Sequence, residues 1–220
     1  MSLSSISTLF PGLLTTLTLW VSVMIIGVPL GLLAGFILNE GPAILRWATW
    51  ALTQIGRGFP ALVTLYLVYF GLPEVGLSVT GSVALIAAFS LTTASYLAEV
   101  FRSSLGAVPS GQREAALALG VPMWSRLTFV VIPQAIKMVI APVIGFAVLV
   151  LQGTSLAYSI GVQELLGVAY SEGTVSFEVF DYLIVAGAFY LIAYVLLTWT
   201  TSLVRRRTTG NGAARVRVLD

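Results

Sequence analysis

Four long, mainly apolar runs, Gly12 to Leu38, Ser82 to Val100, Val130 to Leu151 and Tyr182 to Leu203, constrain this chain more than any other feature. Each supplies roughly the 20 residues, or more, that a helix needs to cross a bilayer, where a helix satisfies its own backbone hydrogen bonds. A membrane barrel would instead show short segments of alternating polarity. Composition agrees: 58% of residues are apolar, 9% are charged and the mean hydropathy is +0.99, far from the balance of a water-soluble domain. A further stretch, Phe59 to Leu72, is bounded by Gly58, Pro60 and Pro73. At about 1.5 Å per residue it gives only ~21 Å of helix against ~30 Å of hydrocarbon. As a span it must borrow length from the amphipathic segment Trp47 to Ile55, or run as a bent pass shielded by its neighbours. The expectation is an all-α integral membrane protein of about five transmembrane helices. They fall near 12–38, 57–72, 81–103, 129–151 and 180–204, with a loop at 104–128 and a tail at 208–220 expected to be disordered.

Five spans set the termini on opposite sides. Arg46, Arg57, Arg102, Arg113, Arg126 and the basic tail (Arg205, Arg206, Arg207, Arg215, Arg217) then share one side, while Glu74, Glu164, Glu172, Glu178 and Asp181 share the other. The positive-inside rule therefore expects the N-terminus outside and the C-terminus in the cytoplasm. Lys137, just inside the fourth span, can snorkel to the inner head groups. The arginine tail is read as an orientation signal rather than a nucleic-acid site. No Lys or Arg precedes Arg46, so the first run is expected to be a retained span and not a cleaved signal. The acidic connection from Ser159 to Asp181 is expected to lie along the outer surface.

Several chemistries are excluded for this chain. It has no cysteine and no histidine, hence no disulfide, no thiolate or imidazole metal site, and no Ser/His/Asp or Cys/His catalytic device. Its single lysine, Lys137, follows no Gly-rich phosphate loop. The chain is expected to carry no cofactor and no enzymatic activity; any ATP that drives it must bind another subunit.

The most informative segment is the loop from Ser103 to Thr128. Pro109, Ser110 and Gly111 form a turn with capping potential, Gln112 to Leu119 are strong helix formers, Gly120 suits a left-handed cap, and Pro122 can open a new helix. The pattern predicts a short, stiff helix, with Glu114 in its first turn and the small Ala115, Ala116 and Ala118 permitting close approach of a partner. A helix of this kind could also rest on lipid head groups.

Glu114, Ala115, Ala116 and Gly120, followed at matching spacing by Val130, Ile132 and Pro133, resemble the signature of permease subunits of binding-protein-dependent ABC importers. The likeness runs from about Leu13 to Arg207. Arg57 to Pro60, the apolar run to Tyr69–Pro73, and Thr93 to Glu99 with Arg102, Gly111 and Gln112 look like the polar amino acid branch, with Phe59 replacing a usual small polar residue. Gln152, Gly153, Thr154, Ser155 and Leu156 resemble an element usually written Lys, Asp, Thr or Ser, Ser, Leu, here without either charge.

The resemblance implies a type I importer fold in a bacterial cytoplasmic (inner) membrane. It also implies a second permease subunit, homomeric or heteromeric, ATPase subunits, an extracytoplasmic solute-binding protein and an amino-acid substrate, with membrane lipid around the spans and no nucleic-acid partner. It makes Gln112, Glu114, Ala115, Ala116, Leu119 and Gly120 the ATPase-docking residues of the coupling loop. Tyr96, Gln152, Thr154 and Ser155 are candidates for the solute pathway, with helix packing and helix-backbone bonding as their plainer readings. Glu99 and Arg102, three apart on one helix face, form a candidate structural ion pair. The alternative class is a secondary transporter or channel without an ATPase partner, which would be expected to show ion-coupling acidic residues in repeated broken helices. With no carboxylate at Gly153, a neutral or acidic amino acid is the expected substrate, glutamate, aspartate or their amides first.

Overall fold

The computed structural model of the chain describes residues 7–209, and side chains of residues 7–200. The described residues form a helical bundle: α1 (Phe10–Glu40), α2 (Ala43–Gly58), α3 (Ala61–Glu74), α4 (Gly81–Gly106), α5 (Ser110–Ala118), α6 (Met123–Arg126), α7 (Ile132–Gly153), α8 (Leu165–Ser176) and α9 (Val179–Thr209). A π-helical turn (Leu127–Val131) joins α6 to α7, and a 3-10 segment (Thr154–Ile160) extends α7, so one helical rod runs from Met123 to Ile160.

Four of these rods are long and apolar enough to cross a membrane, with mean hydropathies of 2.5, 1.6, 2.1 and 2.0 for the best windows of Phe10–Glu40, Gly81–Gly106, Met123–Ile160 and Val179–Thr200. A fifth span exists if α2 and α3 are counted together, although they meet at 103°. Pro60 produces the bend, since it lacks an N–H and confines Phe59 to an extended backbone (φ −86°, ψ 140°). Arg57 and Gly58, assigned from sequence to the start of a span at 57–72, instead end α2. Of the tail expected at 208–220, residues 208 and 209 instead end α9, and the rest lies outside the described residues.

The bundle centres on α1 and α4. Gly27, Gly31 and Gly35 recur every fourth residue on α1, and a β-carbon on them would stand 2.7 Å from Thr93 Cβ, 2.8 Å from Leu97 Cβ and 2.7 Å from the Ala98 carbonyl oxygen. Where lipid gives helices no hydrophobic reason to associate, such backbone-close contact supplies the packing. Around it Leu19, Val23, Leu65, Leu85, Phe89 and Val150 form the main apolar core.

The Ser159–Asp181 connection is not a simple surface strap. Its helix α8 buries Leu165, Gly167, Ala169 and Gly173, with Leu165 and Ala169 packed beside Leu9, Tyr182 and Ala186. Glu164, read from sequence as an outer surface charge, is 0% exposed. Four hydrogen bonds to its carboxylate make that burial tolerable.

Candidate functional site

At the end of the bundle that carries Arg46, Arg57, Arg102, Arg113 and Arg126 lies the short helix α5. It starts directly after Pro109 with no side-chain cap, so Ser110 and Gly111 lie inside the helix and not in a capping turn. That earlier start moves Glu114 out of the first turn, a correction to the sequence reading. At the other end the Gly120 N–H bonds the Leu117 carbonyl (2.9 Å) and the Val121 N–H bonds the Ala116 carbonyl (3.0 Å). Gly120 has φ +72°, completing a Schellman cap that a β-carbon would strain.

Three polar links hold α5 in place. Arg113 Nη2 donates to the Leu105 carbonyl at the end of α4, and Arg113 Nη1 lies 3.6 Å from Glu40 Oε1 at the end of α1. Gln134 Nε2 of α7 donates to Gln112 Oε1. Beneath the helix, Leu105, Val108, Leu127, Val131 and Ala135 make a small apolar core. Ala116 turns inward and is 7% exposed, so it sets the height of the helix and cannot itself meet a docking partner. Glu114, Ala115 and Leu119 face outward, Leu119 at 82% exposure. The outward surface is completed by Leu117 and Trp124, which sequence reading did not single out. A motif fixes which residues recur, whereas outward direction depends on how the helix is anchored.

A second region lies midway along α4. A cavity of 260 Å³ is bordered by Phe89, Thr92, Thr93, Tyr96, Phe146 and Gly153, with no charged side chain on its walls. Tyr96 packs its ring on Phe146 at 5.2 Å and its hydroxyl reaches the Arg57 carbonyl at 3.5 Å. Gln152 is exposed and Ser155 half-buried, the latter donating to the Gln152 carbonyl at 2.8 Å. Thr154 is completely buried and donates to the Leu151 carbonyl at 2.7 Å, the helix-backbone bonding of its plainer reading. Gly153 does more than omit a charge: a β-carbon there would stand 2.7 Å from Phe89 Cε1. Below Tyr96, Arg102 Nε donates to Glu99 Oε2 at 3.2 Å and Arg57 Nη1 lies 3.9 Å from the same oxygen. The expected pair is thus a triad that draws in α2.

Sequence reading missed Glu164. Its carboxylate accepts from Thr16 Oγ1 (3.2 Å), Tyr190 Oη (2.7 Å) and the backbone N–H groups of Leu166 (3.1 Å) and Gly167 (2.8 Å). Thr16 Oγ1 in turn accepts from the Leu165 N–H at 3.0 Å. No Arg or Lys is within ion-pair distance among the described residues. Glu164 caps α8 and ties it to α1 and α9, and it follows the 3-10 segment after the left-handed Gly161 (φ +80°). The local signal was present: an acidic residue just before the apolar Leu165–Leu166 start of a helix is an N-cap pattern.

Residues 27–210 match the family described as binding-protein-dependent transport system inner membrane component. The arginine transport system permease protein ArtQ of Bacillus subtilis (strain 168) is 29% identical over 208 residues, 91% of this chain and 94% of its own length. The glutamine transport system permease protein GlnP of Escherichia coli (strain K12) is 29% identical over 195 residues, 87% of this chain and 89% of its own. A crystal structure of an amino acid ABC transporter with histidines superposes with a TM-score of 0.86 at 28% identity, covering 91% of this chain and 94% of that one.

Proposed function

We infer the role of this chain from its family: it belongs to the binding-protein-dependent transport system inner membrane components. It is the permease subunit of an ATP-driven importer that moves amino acids from a solute-binding protein, and ATP hydrolysis resides on a separate subunit. The fold agrees with the type I importer class. Family membership sets aside the secondary transporter and channel alternative. Kinship with permeases of Bacillus subtilis and Escherichia coli supports a multi-pass location in a bacterial inner membrane.

The observation that carries the coupling role is the placement of α5. Glu114, Ala115 and Leu119, with Leu117, form its outward surface, and this is the surface proposed to dock on the ATPase. The links to Glu40, Leu105 and Gln134 give a physical route for transmission, because a pull on α5 acts at once on the ends of α1, α4 and α7. Closure of the ATPase pair would then move these ends together and turn the permease dimer from inward-facing to outward-facing.

The one-sided arginine distribution supports the N-terminus outside and the arginine-rich end in the cytoplasm. Cysteine replacing Ser171 is expected to react with an impermeant thiol reagent in intact cells, while cysteine replacing Asn211 is not. The opposite labelling pattern would overturn this orientation.

A neutral or acidic amino acid is the proposed substrate. A cationic side chain leaving water needs a carboxylate to replace its hydration, and the cavity beside Tyr96 offers none. The relatives' printed substrates include both arginine and glutamine, so the chemistry of the cavity carries this choice. Glutamate or glutamine in excess is expected to compete for uptake. Competition by arginine or histidine at concentrations where glutamate and glutamine have no effect would refute it.

A further inference from the structure

Helix α2 divides two recesses of opposite character. On one side a pocket of 690 Å³ lies between α2 and the ends of α1 and α4, bordered by Arg46, Trp47, Trp50, Arg57, Glu99 and Arg102 among others. On the other side an apolar groove of 550 Å³ runs between α1, α2 and α4, bordered by Leu30, Leu33, Leu52, Ile86, Ala87 and neighbours, with no charged residue. Three guanidiniums share the first recess with one carboxylate, which already engages Arg57 and Arg102. Arg46 is exposed and has no carboxylate within ion-pair distance among the described residues. Trp47 and Trp50 are 70% and 51% exposed. Two neighbouring uncovered indoles mark an interaction surface, and tryptophan is at home at the level of lipid head groups.

We propose that this basic pocket binds the phosphate of an anionic phospholipid of the inner leaflet, whose acyl chains cover the apolar groove beyond α2. The proposal rests on the permease reading and its orientation, which put Arg46, Arg57 and Arg102 at the cytoplasmic boundary. Basic recesses between transmembrane helices at that boundary suit anionic head groups, and the guanidinium fork matches a phosphate's paired oxygens. An acidic peptide would answer the charge yet leave the groove bare. A lipid answers both, because α2 turns its arginines to the basic recess and Leu52 to the apolar groove, as a helix lying at the head-group boundary would. Glu99 holds two of the guanidiniums in place, leaving Arg46 to swing onto the ligand.

The test uses the permease assembled with its ATPase in nanodiscs of equal parts phosphatidylglycerol and phosphatidylcholine. Lipid retained on the protein is read by native mass spectrometry, and ATPase activity and amino acid uptake are measured on the same preparation. Wild type is expected to retain phosphatidylglycerol selectively. Arg46→Gln and Arg102→Gln should each reduce that selectivity by about five-fold. Ala87→Phe, which narrows the groove, should reduce retention of the diacyl lipid without altering the binding of soluble glycerol phosphate. Lys137→Gln, a change at the one exposed basic residue on α7, should leave retention unchanged. Equal retention of the two lipids by wild type, unchanged selectivity in the Arg46→Gln/Arg102→Gln double variant, or cross-linking of a cysteine at Trp50 to a second permease chain would overturn the lipid assignment. Wild type that retains phosphatidylglycerol selectively but neither assembles with the ATPase nor takes up amino acid would count against the permease reading instead.

Discussion

Glu164→Ala is expected to prevent accumulation of folded permease, although the position is a connection residue outside the helices long enough to span a membrane. The substitution takes the acceptor from four donors: Thr16 Oγ1, Tyr190 Oη and the N–H groups of Leu166 and Gly167. Each buried donor left without a partner costs about 1–3 kcal/mol, and proteins have only about 5–15 kcal/mol of total stability. Helix α8 would also lose its cap, and with it the bond that holds it to α1 and α9. Glu164→Gln keeps the volume but replaces one acceptor oxygen by an NH2 that cannot accept from the Leu166 or Gly167 N–H, while the Thr16 and Tyr190 hydroxyls can turn to accept from it, so a loss smaller than that of alanine is expected. Tyr190→Phe removes one donor together with its partner bond and leaves the carboxylate three others, so a much smaller effect is expected. Fluorescence-detected gel filtration after graded heating measures all three. A Glu164→Ala protein that melts with wild type would mean that the carboxylate contributes little to holding the three helices together.

The second large effect is expected at the coupling helix, where insertion and function should separate. Gly120 adopts φ +72°, and a β-branched side chain there costs on the order of 1 kcal/mol or more. Gly120→Val would therefore release the Schellman bonds to Leu117 and Ala116 and shift the end of α5 that carries Leu119. Nothing stands within 4 Å of a β-carbon at Gly120, so the penalty is conformational and leaves the spans alone. Glu114→Lys acts differently. The residue is exposed and lies beyond the first helical turn, so reversing its charge changes the outward surface more than the helix beneath it. Both variants should insert normally and lose most transport, either by releasing the ATPase or by uncoupling ATP hydrolysis from the binding protein. Wild-type uptake by both, at equal abundance in the membrane, would show that α5 is not the coupling element; a helix merely resting on lipid predicts that outcome.

What the sequence by itself determined was whatever a short stretch of chain encodes. Apolar length identified the spans near 12–38, 81–103, 129–151 and 180–204, because crossing a bilayer depends on consecutive residues and not on partners; that the third of these belongs to a rod already begun at Met123, inside the expected loop, came from the structure. The left-handed position of Gly120 was legible for the same reason: helix termination is settled within a turn. The Glu114, Ala115, Ala116, Gly120 spacing gave the family, since one short helix contains most of it. Tertiary structure decided everything that depended on a distant partner. Thr16 meets Glu164 across 148 residues of sequence and Tyr190 meets it across 26, so an apparent surface charge became a buried cap. Thr154 turned inward and Gly153 came to lie under Phe89 because of the way α7 packs on α4, which no local pattern specifies. Pro60 announced a break between α2 and α3, but their 103° angle and the triad formed by Arg57, Glu99 and Arg102 required the neighbouring helix against which α2 rests.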